Sequence, residues 1–479
     1  MRYWLCVVLG MLSLASPAGA QDMNQQWAWC LNKDNAFTVD QGMAGCTAVI
    51  QANQGTPKEM VTAFRSRGNA YADKGQLDRA IEDYDKALYL NAGDAETYYK
   101  RGNVYLTRAQ YDRAIQDYDQ AILLNPTYVL ALNNRGIAWR RKGQHNRAIQ
   151  DYDRLIRLKP GDAGAFLNRG IAYATLRQYD RAIQDYDEAL RLTPDYSEAY
   201  YVRGEAWRHK GQNDRALKDY DQALRANPKM ADAFNARSIV YLNLGQYDRA
   251  FQEVELALRL NPNLAPALNN RGYIFSLRGE YDRAIEDYDR ALRLDPDNSR
   301  FLLNRGFAWQ RKGQDDRAIQ DFDQVIRREP NNGFVFGVRG SSYSAKGQYD
   351  RAIEDFDRAL RRTPDDAALI NNRCYARASA GALAAALADC NEALRRKPGS
   401  WEFLDTRAFT YLKMQQLPQA LADYDAALKI APGAVAALFG RGVVRSQMGD
   451  VSGGDADIAA AIAIDAAVAG RLARRGVVP

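Results

Sequence analysis

The chain has 479 residues, 47% of them hydrophobic and 26% charged, with Lys plus Arg at 65 against Asp plus Glu at 59 and a formal net charge of +6. That composition is globular, which excludes a disordered or fibrous chain. The two signs of charge interleave, so the clustered cationic face that nucleic acid demands is missing.

The first twenty residues differ from the rest. Arg2 gives a positive start, Leu5 to Ala15 form an apolar run, Pro17 breaks it, and Ala18-Gly19-Ala20 supplies the small residues read by a signal peptidase. This predicts an export signal over 1–20, cleaved after Ala20, and a periplasmic or secreted protein. The alternative is an uncleaved anchor, but the run is short of the about 20 apolar residues that a spanning helix needs. No cysteine follows the run closely enough for a lipid anchor, and no later segment resembles a membrane span. With Cys6 removed, Cys30, Cys46, Cys374 and Cys390 remain. An even count behind an export signal favours disulfides over metal ligation.

From 61 to 468 one short unit dominates. Arginines fall every 34 residues from Arg67, Arg101 and Arg135 to Arg407 and Arg441, and prolines from Pro126 to Pro432 keep the same step. Internal repeats of this length signal a solenoid. Twelve units fill the segment. In Val129 to Asp162, the first half has apolar residues at helical spacing and stops at Gly143, which suits a left-handed helix end. The second half runs from about His145 to Leu158 and stops before Pro160, which cannot continue a helix. Each unit is therefore two helices joined by a tight turn. Gly136 and Ala148 recur as Gly170 and Ala182, letting helices approach closely. The aromatic stripes Tyr105, Trp139, Tyr173 and Tyr118, Tyr152, Tyr186 share that phase and read as core packing rather than a ligand ladder. One helix pair cannot bury its apolar face alone; stacked pairs can.

The series Gly170, Tyr173, Ala182, Tyr186, Ala189 and Pro194 resembles the tetratricopeptide repeat, and the resemblance covers nearly all of the mature chain. It implies an all-α fold, a right-handed superhelical solenoid of about twelve 34-residue helix-turn-helix repeats, whose work is to bind other proteins. The recurrent arginine is a departure, standing where the family often has a leucine. Its step matches Asp83, Asp117, Asp151 and Asp185 on the second helix. Two readings stay open: an Arg–Asp ladder linking neighbouring helices, or a solvated arginine snorkelling from the interface.

Lapses in the repeat carry further expectations. Cys374 takes the glycine slot held by Gly340, and Cys390 the facing aromatic slot held by Phe356, so a bond across that helix pair is plausible. Cys30 and Cys46 have the same separation, and Cys46-Thr-Ala-Val-Ile is patterned like Cys390-Asn-Glu-Ala-Leu. Residues 21–60 then read as a degenerate capping hairpin stapled by Cys30–Cys46. Each staple would contribute about 3 kcal/mol; buried free thiols are the alternative. At the other end Ala466 replaces the expected proline, and 469–479 are expected to finish a short polar cap around Leu472 to Arg475.

No catalytic, cofactor or metal site is expected. His145 and His209 sit in different repeats, and the carboxylates of each Asp-Tyr-Asp point to nearly opposite sides of a helix. Function is expected from surface, with other proteins or peptides as partners and neither nucleic acid nor stable membrane insertion. The resemblance places the first helices on the concave side. There Asn134, Asn168, Asn270, Asn304 and Asn372 precede the repeated arginine, and a row of carboxamides can donate to and accept from a peptide backbone. Lys100, Val202, Ala236 and Val338 interrupt the row. Arg140, Arg141, Arg208, His209 and Arg311 form a basic set able to attract an acidic segment. The competing expectation is a scaffold of an envelope or secretion assembly that uses the convex face or the ends.

Overall fold

The computed structural model describes residues 17–32 and 36–473. Among them every regular element is a helix, 27 in all, and none is a strand. The apolar run Leu5 to Ala15 lies outside the described residues, while the first described helix, Pro17–Leu31, runs through the expected cleavage junction.

Two compact units, Met1–Val240 and Tyr241–Pro479, divide within the helix Ala231–Asn243. The first unit contains the hairpin of Pro17–Leu31 and Val39–Ala52, then repeats one to five. These run from Pro57–Asp73 with Leu77–Leu90 to Ser197–His209 with Asn213–Ala226. The second contains the second helix of repeat six, Tyr247–Leu260, and repeats seven to twelve, from Ala265–Leu277 with Tyr281–Leu294 to Val435–Gln447 with Val451–Ile464. Repeat one begins earlier than the 34-residue step predicts. Thr56 caps its first helix by accepting from Glu59 N, and Glu59 returns a bond to Thr56 N at 2.8 Å, a reciprocal box that fixes the start at Pro57.

The turn inside each repeat follows from backbone chemistry. Gly143 has φ +79°, Gly143 N donates to Arg140 O at 3.0 Å, and Gln144 N donates to Trp139 O at 2.8 Å. These reverse bonds satisfy the last carbonyls of the first helix. Ala109, Arg177 and Gln415 hold the same left-handed slot without glycine. That costs each about 1 kcal/mol, so packing of the pair, not the glycine, sets the turn.

The packing is a glycine against a ring. A Cβ on Gly136 would lie 2.7 Å from the Tyr152 ring, and one on Gly306 2.5 Å from the Phe322 ring. Both rings are 0% exposed. The second-helix stripe is thus core, and burial of each ring contributes about 3 kcal/mol. The first-helix stripe sits at an edge instead. Tyr105, Trp139, Tyr173, Trp207 and Trp309 are half-buried, and a second-helix arginine covers each ring: Arg147 lies 4.7 Å from Trp139, and Arg215 4.6 Å from Trp207.

Both ends differ from a bare repeat. Cys30, Cys46 and Val49 of the hairpin pack with Ala63 of repeat one. At the C-terminal end, Val468 and Leu472 are buried with the last repeats, so the short helix Val468–Ala473 has an apolar inner side instead of a wholly polar cap. Arg474 and Arg475 lie outside the described residues.

Candidate protein-binding surface

The recurrent arginine is not solvated. In repeat four Arg169 Nε and Nη2 donate to the two oxygens of Asp185 at 2.9 and 2.6 Å, and Nη1 donates to Asp153 of repeat three at 2.6 Å. Arg101, Arg135, Arg203, Arg305, Arg339 and Arg373 make the same three bonds. Each guanidinium therefore grips its own second helix with two parallel bonds and the preceding second helix with one. Glu255 substitutes for the preceding aspartate at Arg271, and Asn391 does so at Arg407. At the first repeat, Arg67 reaches Thr47 of the hairpin at 3.3 Å, tying the cap into the same seam.

This geometry explains the Asp-Tyr-Asp tripeptides. Asp151 receives Arg135, Asp153 receives Arg169, and Tyr152 between them is buried against Gly136. Burial pushes the Asp117, Asp151 and Asp185 carboxyls above the usual carboxylate range, although their arginines pull them down. At these three carboxylates, desolvation outweighs the bonds. Such a pair fixes register more than it adds stability. A second, exposed column joins Lys142 to Asp112, Lys210 to Asp180, and Lys312 to Asp282. Pairs of that kind are each worth about 1 kcal/mol or less.

On the first helices the asparagines engage one another. Asn134 Nδ2 donates to Asn103 Oδ1 of the preceding repeat at 2.8 Å, and Asn134 Oδ1 accepts from Asn133 at 3.0 Å. Asn168 donates to Asn133 at 3.2 Å, and Asn304 to Asn269 at 2.8 Å. Asn270 is buried and Asn372 half-buried. The predicted row is therefore a repeat-to-repeat amide seam. Its partners Asn103, Asn133 and Asn269 went unpredicted. The signal was present in the doublets Asn133-Asn134 and Asn269-Asn270.

The basic set separates into distinct environments. Arg208 donates to both oxygens of Glu205, at 3.1 and 2.7 Å, and Glu205 also accepts from Tyr220 OH at 2.5 Å. Those two donors hold the Glu205 carboxyl below its usual range despite strong burial. His209 stacks on Tyr179 with ring centroids 5.4 Å apart. Arg141 and Arg311 are exposed. Arg140 is half-buried and lies against the Tyr152 hydroxyl, although neither its Nε nor that hydroxyl makes a hydrogen bond of good geometry. Elsewhere the equivalent hydroxyl is bonded, Tyr84 to Asn69 and Tyr118 to Asn103, both at 2.8 Å. Ile137 holds that partner position in repeat three. Burial raises the Tyr152 hydroxyl to about 12, against the pull of Arg140.

The cysteines are brought together in two pairs. Cys30 and Cys46 have Cα atoms 4.4 Å apart, and Cys374 and Cys390 5.4 Å apart, with the sulphurs at disulfide distance in both. Among the described residues no group of three or more His, Cys, Asp or Glu side chains is placed to hold a metal. None of the described helices is long and apolar enough to cross a membrane.

Models of the tetratricopeptide repeat match at 68–108, 99–163, 135–206, 210–265, 265–298, 301–332 and 338–400. The chain belongs to the tetratricopeptide repeat family. A tetratricopeptide chain is a protein–protein interaction module. No curated protein matches this sequence significantly. Among solved structures, it is similar to a tetratricopeptide repeat protein from Parabacteroides merdae ATCC 43184, with 20% identity over 52% of this chain and 99% of that one, and a TM-score of 0.47. It is also similar to YrrB, a tetratricopeptide protein described as having an unusual peptide-binding site, at 24% identity over 38% and 95% of the two chains and a TM-score of 0.30. The Cut9–Hcn1 hetero-tetramer structure matches at 16% identity, 88% and 96% coverage, and a TM-score of 0.45.

Proposed function

We propose that this tetratricopeptide protein is exported, carries the disulfides Cys30–Cys46 and Cys374–Cys390, and holds extended segments of other proteins against its first helices. The observation that carries the peptide-holding reading is the exposure of Arg141 and Arg311 at the ends of first helices, outside the Arg–Asp seam. An exposed guanidinium can donate to a backbone carbonyl or an acidic side chain of a bound segment, and it attracts the acid by charge. The amide seam supplies secondary contacts only, since Asn134, Asn168 and Asn304 already bond within it.

The test is capture in the native compartment. A photo-crosslinker at Lys142, exposed next to Arg141, should trap a partner that one at Arg293, on an exposed second-helix position, does not. Arg141→Ala with Arg311→Ala should abolish the capture while the circular dichroism spectrum is retained. Unchanged capture by that variant would sink the reading.

A scaffold role has its own support. Tyr89 and Leu123 are 91% and 71% exposed on the second helices of repeats one and two, where the next repeats carry Arg157 and Arg191. If Tyr89→Ser with Leu123→Ser disrupts an assembly that the Arg141 and Arg311 variant leaves intact, the scaffold reading prevails.

A further inference from the structure

The second helix of repeat nine, Tyr349–Leu360, has 12 residues where Asp315–Arg328 and Leu383–Arg396 of the neighbouring repeats have 14. Its last turn tightens, with Arg362 N donating to Ala359 O, three residues back, at 2.9 Å. Arg361 and Arg362 thereby leave the helix. The first helix of the same repeat, Gly333–Ala345, begins with glycine, and a Cβ there would stand 2.9 Å from Arg362 Cβ. The bare position is what lets the displaced arginine lie against it.

Between these two helix ends opens a cleft of about 480 Å³, lined in part by Asn331, Gly333, Phe336, Arg358, Arg361 and Arg362. Its lining holds three guanidinium groups and no carboxylate. The adjoining repeats carry the same framework neutralised: Arg328 pairs with Asp297, and Arg396 with Asp365 and Glu392. One 34-residue step from Asp297 and Asp365 stands Asn331, and one step before Glu392 stands Arg358. Two acidic positions are thus neutral or cationic here. Arg362 donates to the uncharged Asn331 Oδ1 at 2.6 Å, and Arg358 lies 5.3 Å from the Phe336 ring centroid. The carboxylates nearest in the chain bond to other partners: Asp355 to Arg339, although it also feels the charge of Arg358, Asp357 to Arg373, and Glu329 to Asn332.

We propose that this cleft binds a phosphate-type oxyanion. Guanidinium forks match the paired oxygens of such a group, and three of them suit an anion of more than one charge better than a lone carboxylate. The volume admits the anion with part of whatever carries it, whether a small molecule or a lipid headgroup. The site lies in repeat nine, apart from the exposed Arg141 of repeat three and Arg311 of repeat eight.

The test uses the full chain, with inorganic phosphate as probe in isothermal titration calorimetry at low salt and anionic phosphatidylglycerol vesicles in co-sedimentation. Wild type should bind phosphate saturably. Arg358→Gln, Arg361→Gln and Arg362→Gln together should weaken binding at least about tenfold, whereas Arg259→Gln, Arg293→Gln and Arg327→Gln, which remove equal exposed charge elsewhere, should not. Sedimentation that phosphate competes away assigns the oxyanion to a headgroup; phosphate binding without sedimentation assigns it to a small molecule. If the triple variant does not fold, Asn331→Asp, which restores the neighbours' acid, must weaken binding instead. No saturable binding by wild type in either arm, or equal loss in the two triple variants, overturns the proposal.

Discussion

Two polar seams run through the same repeats and tolerate interruption differently. The arginine of the Arg–Asp seam recurs in all twelve repeats, from Arg67 to Arg441, while the position just before it changes from Asn134 and Asn168 to Val202 and Ala236. The geometry accounts for the contrast. Asp185 is buried, held by two bonds from Arg169, and a carboxylate left there alone must stay unpaired or take up a proton. Asn134 is only half-buried, so when an apolar side chain replaces it the partners it leaves can bond to water instead. The invariant seam sets the stacking, and the interrupted one leaves each repeat free to present a different surface.

Several substitutions can break this contrast. The largest effect is expected from Arg169→Met, which strands Asp185 and should cost about 3–5 kcal/mol. Because stability in a repeat stack is local, hydrogen exchange should report the loss in repeats three and four first. Uniform exchange along the chain would contradict a seam that couples nearest neighbours. Removing the second pair of cysteines, Cys374→Ser with Cys390→Ser, should cost about 3 kcal/mol in denaturant unfolding. Mass spectrometry of a non-reduced digest should first find both pairs linked; free thiols at all four positions would refute the staples. Gly170→Ala places a Cβ 2.5 Å from the Tyr186 ring and should cost about 1–3 kcal/mol. The double change Arg169→Met with Asp185→Leu is the sharper probe. Because replacing a buried ion pair by apolar groups of similar size is often close to neutral, it should return to within about 1 kcal/mol of wild type. A double variant as unstable as the single one would mean that the pair stabilises as well as aligns. Smallest is Asn134→Ala, about 1 kcal/mol or less.

Much of the fold was legible because it is written twelve times. The helix pairs, the glycine–ring contact and the matching cysteine slots all follow from a 34-residue step and a 16-residue offset. The two readings left open at the arginine are decided by side-chain geometry that the step alone does not give: two bonds to Asp185 in its own repeat and one to Asp153 in the repeat before. The asparagine row was located from its period, but its partners were not, because Asn133 and Asn269 sit one residue off the row that was followed. The basic set looked uniform in sequence. Whether an arginine is neutralised depends on a neighbour such as Glu205 beside Arg208, which a stripe of positive charge conceals. The hydroxyl of Tyr152 was invisible for a similar reason: it matters only because Ile137 occupies its partner's position.

The three-bond arginine has one more consequence. Every polar link between repeats in that seam joins residues a fixed distance apart in the chain, Arg169 to Asp185 ahead and Asp153 behind. Excising any whole repeat among those with a standard set, such as 129–162, would splice each remaining arginine to a carboxylate at the right offset. Within that seam a duplication or loss of one such repeat still leaves every arginine facing a carboxylate, so the number of repeats can change in whole steps by recombination without breaking it.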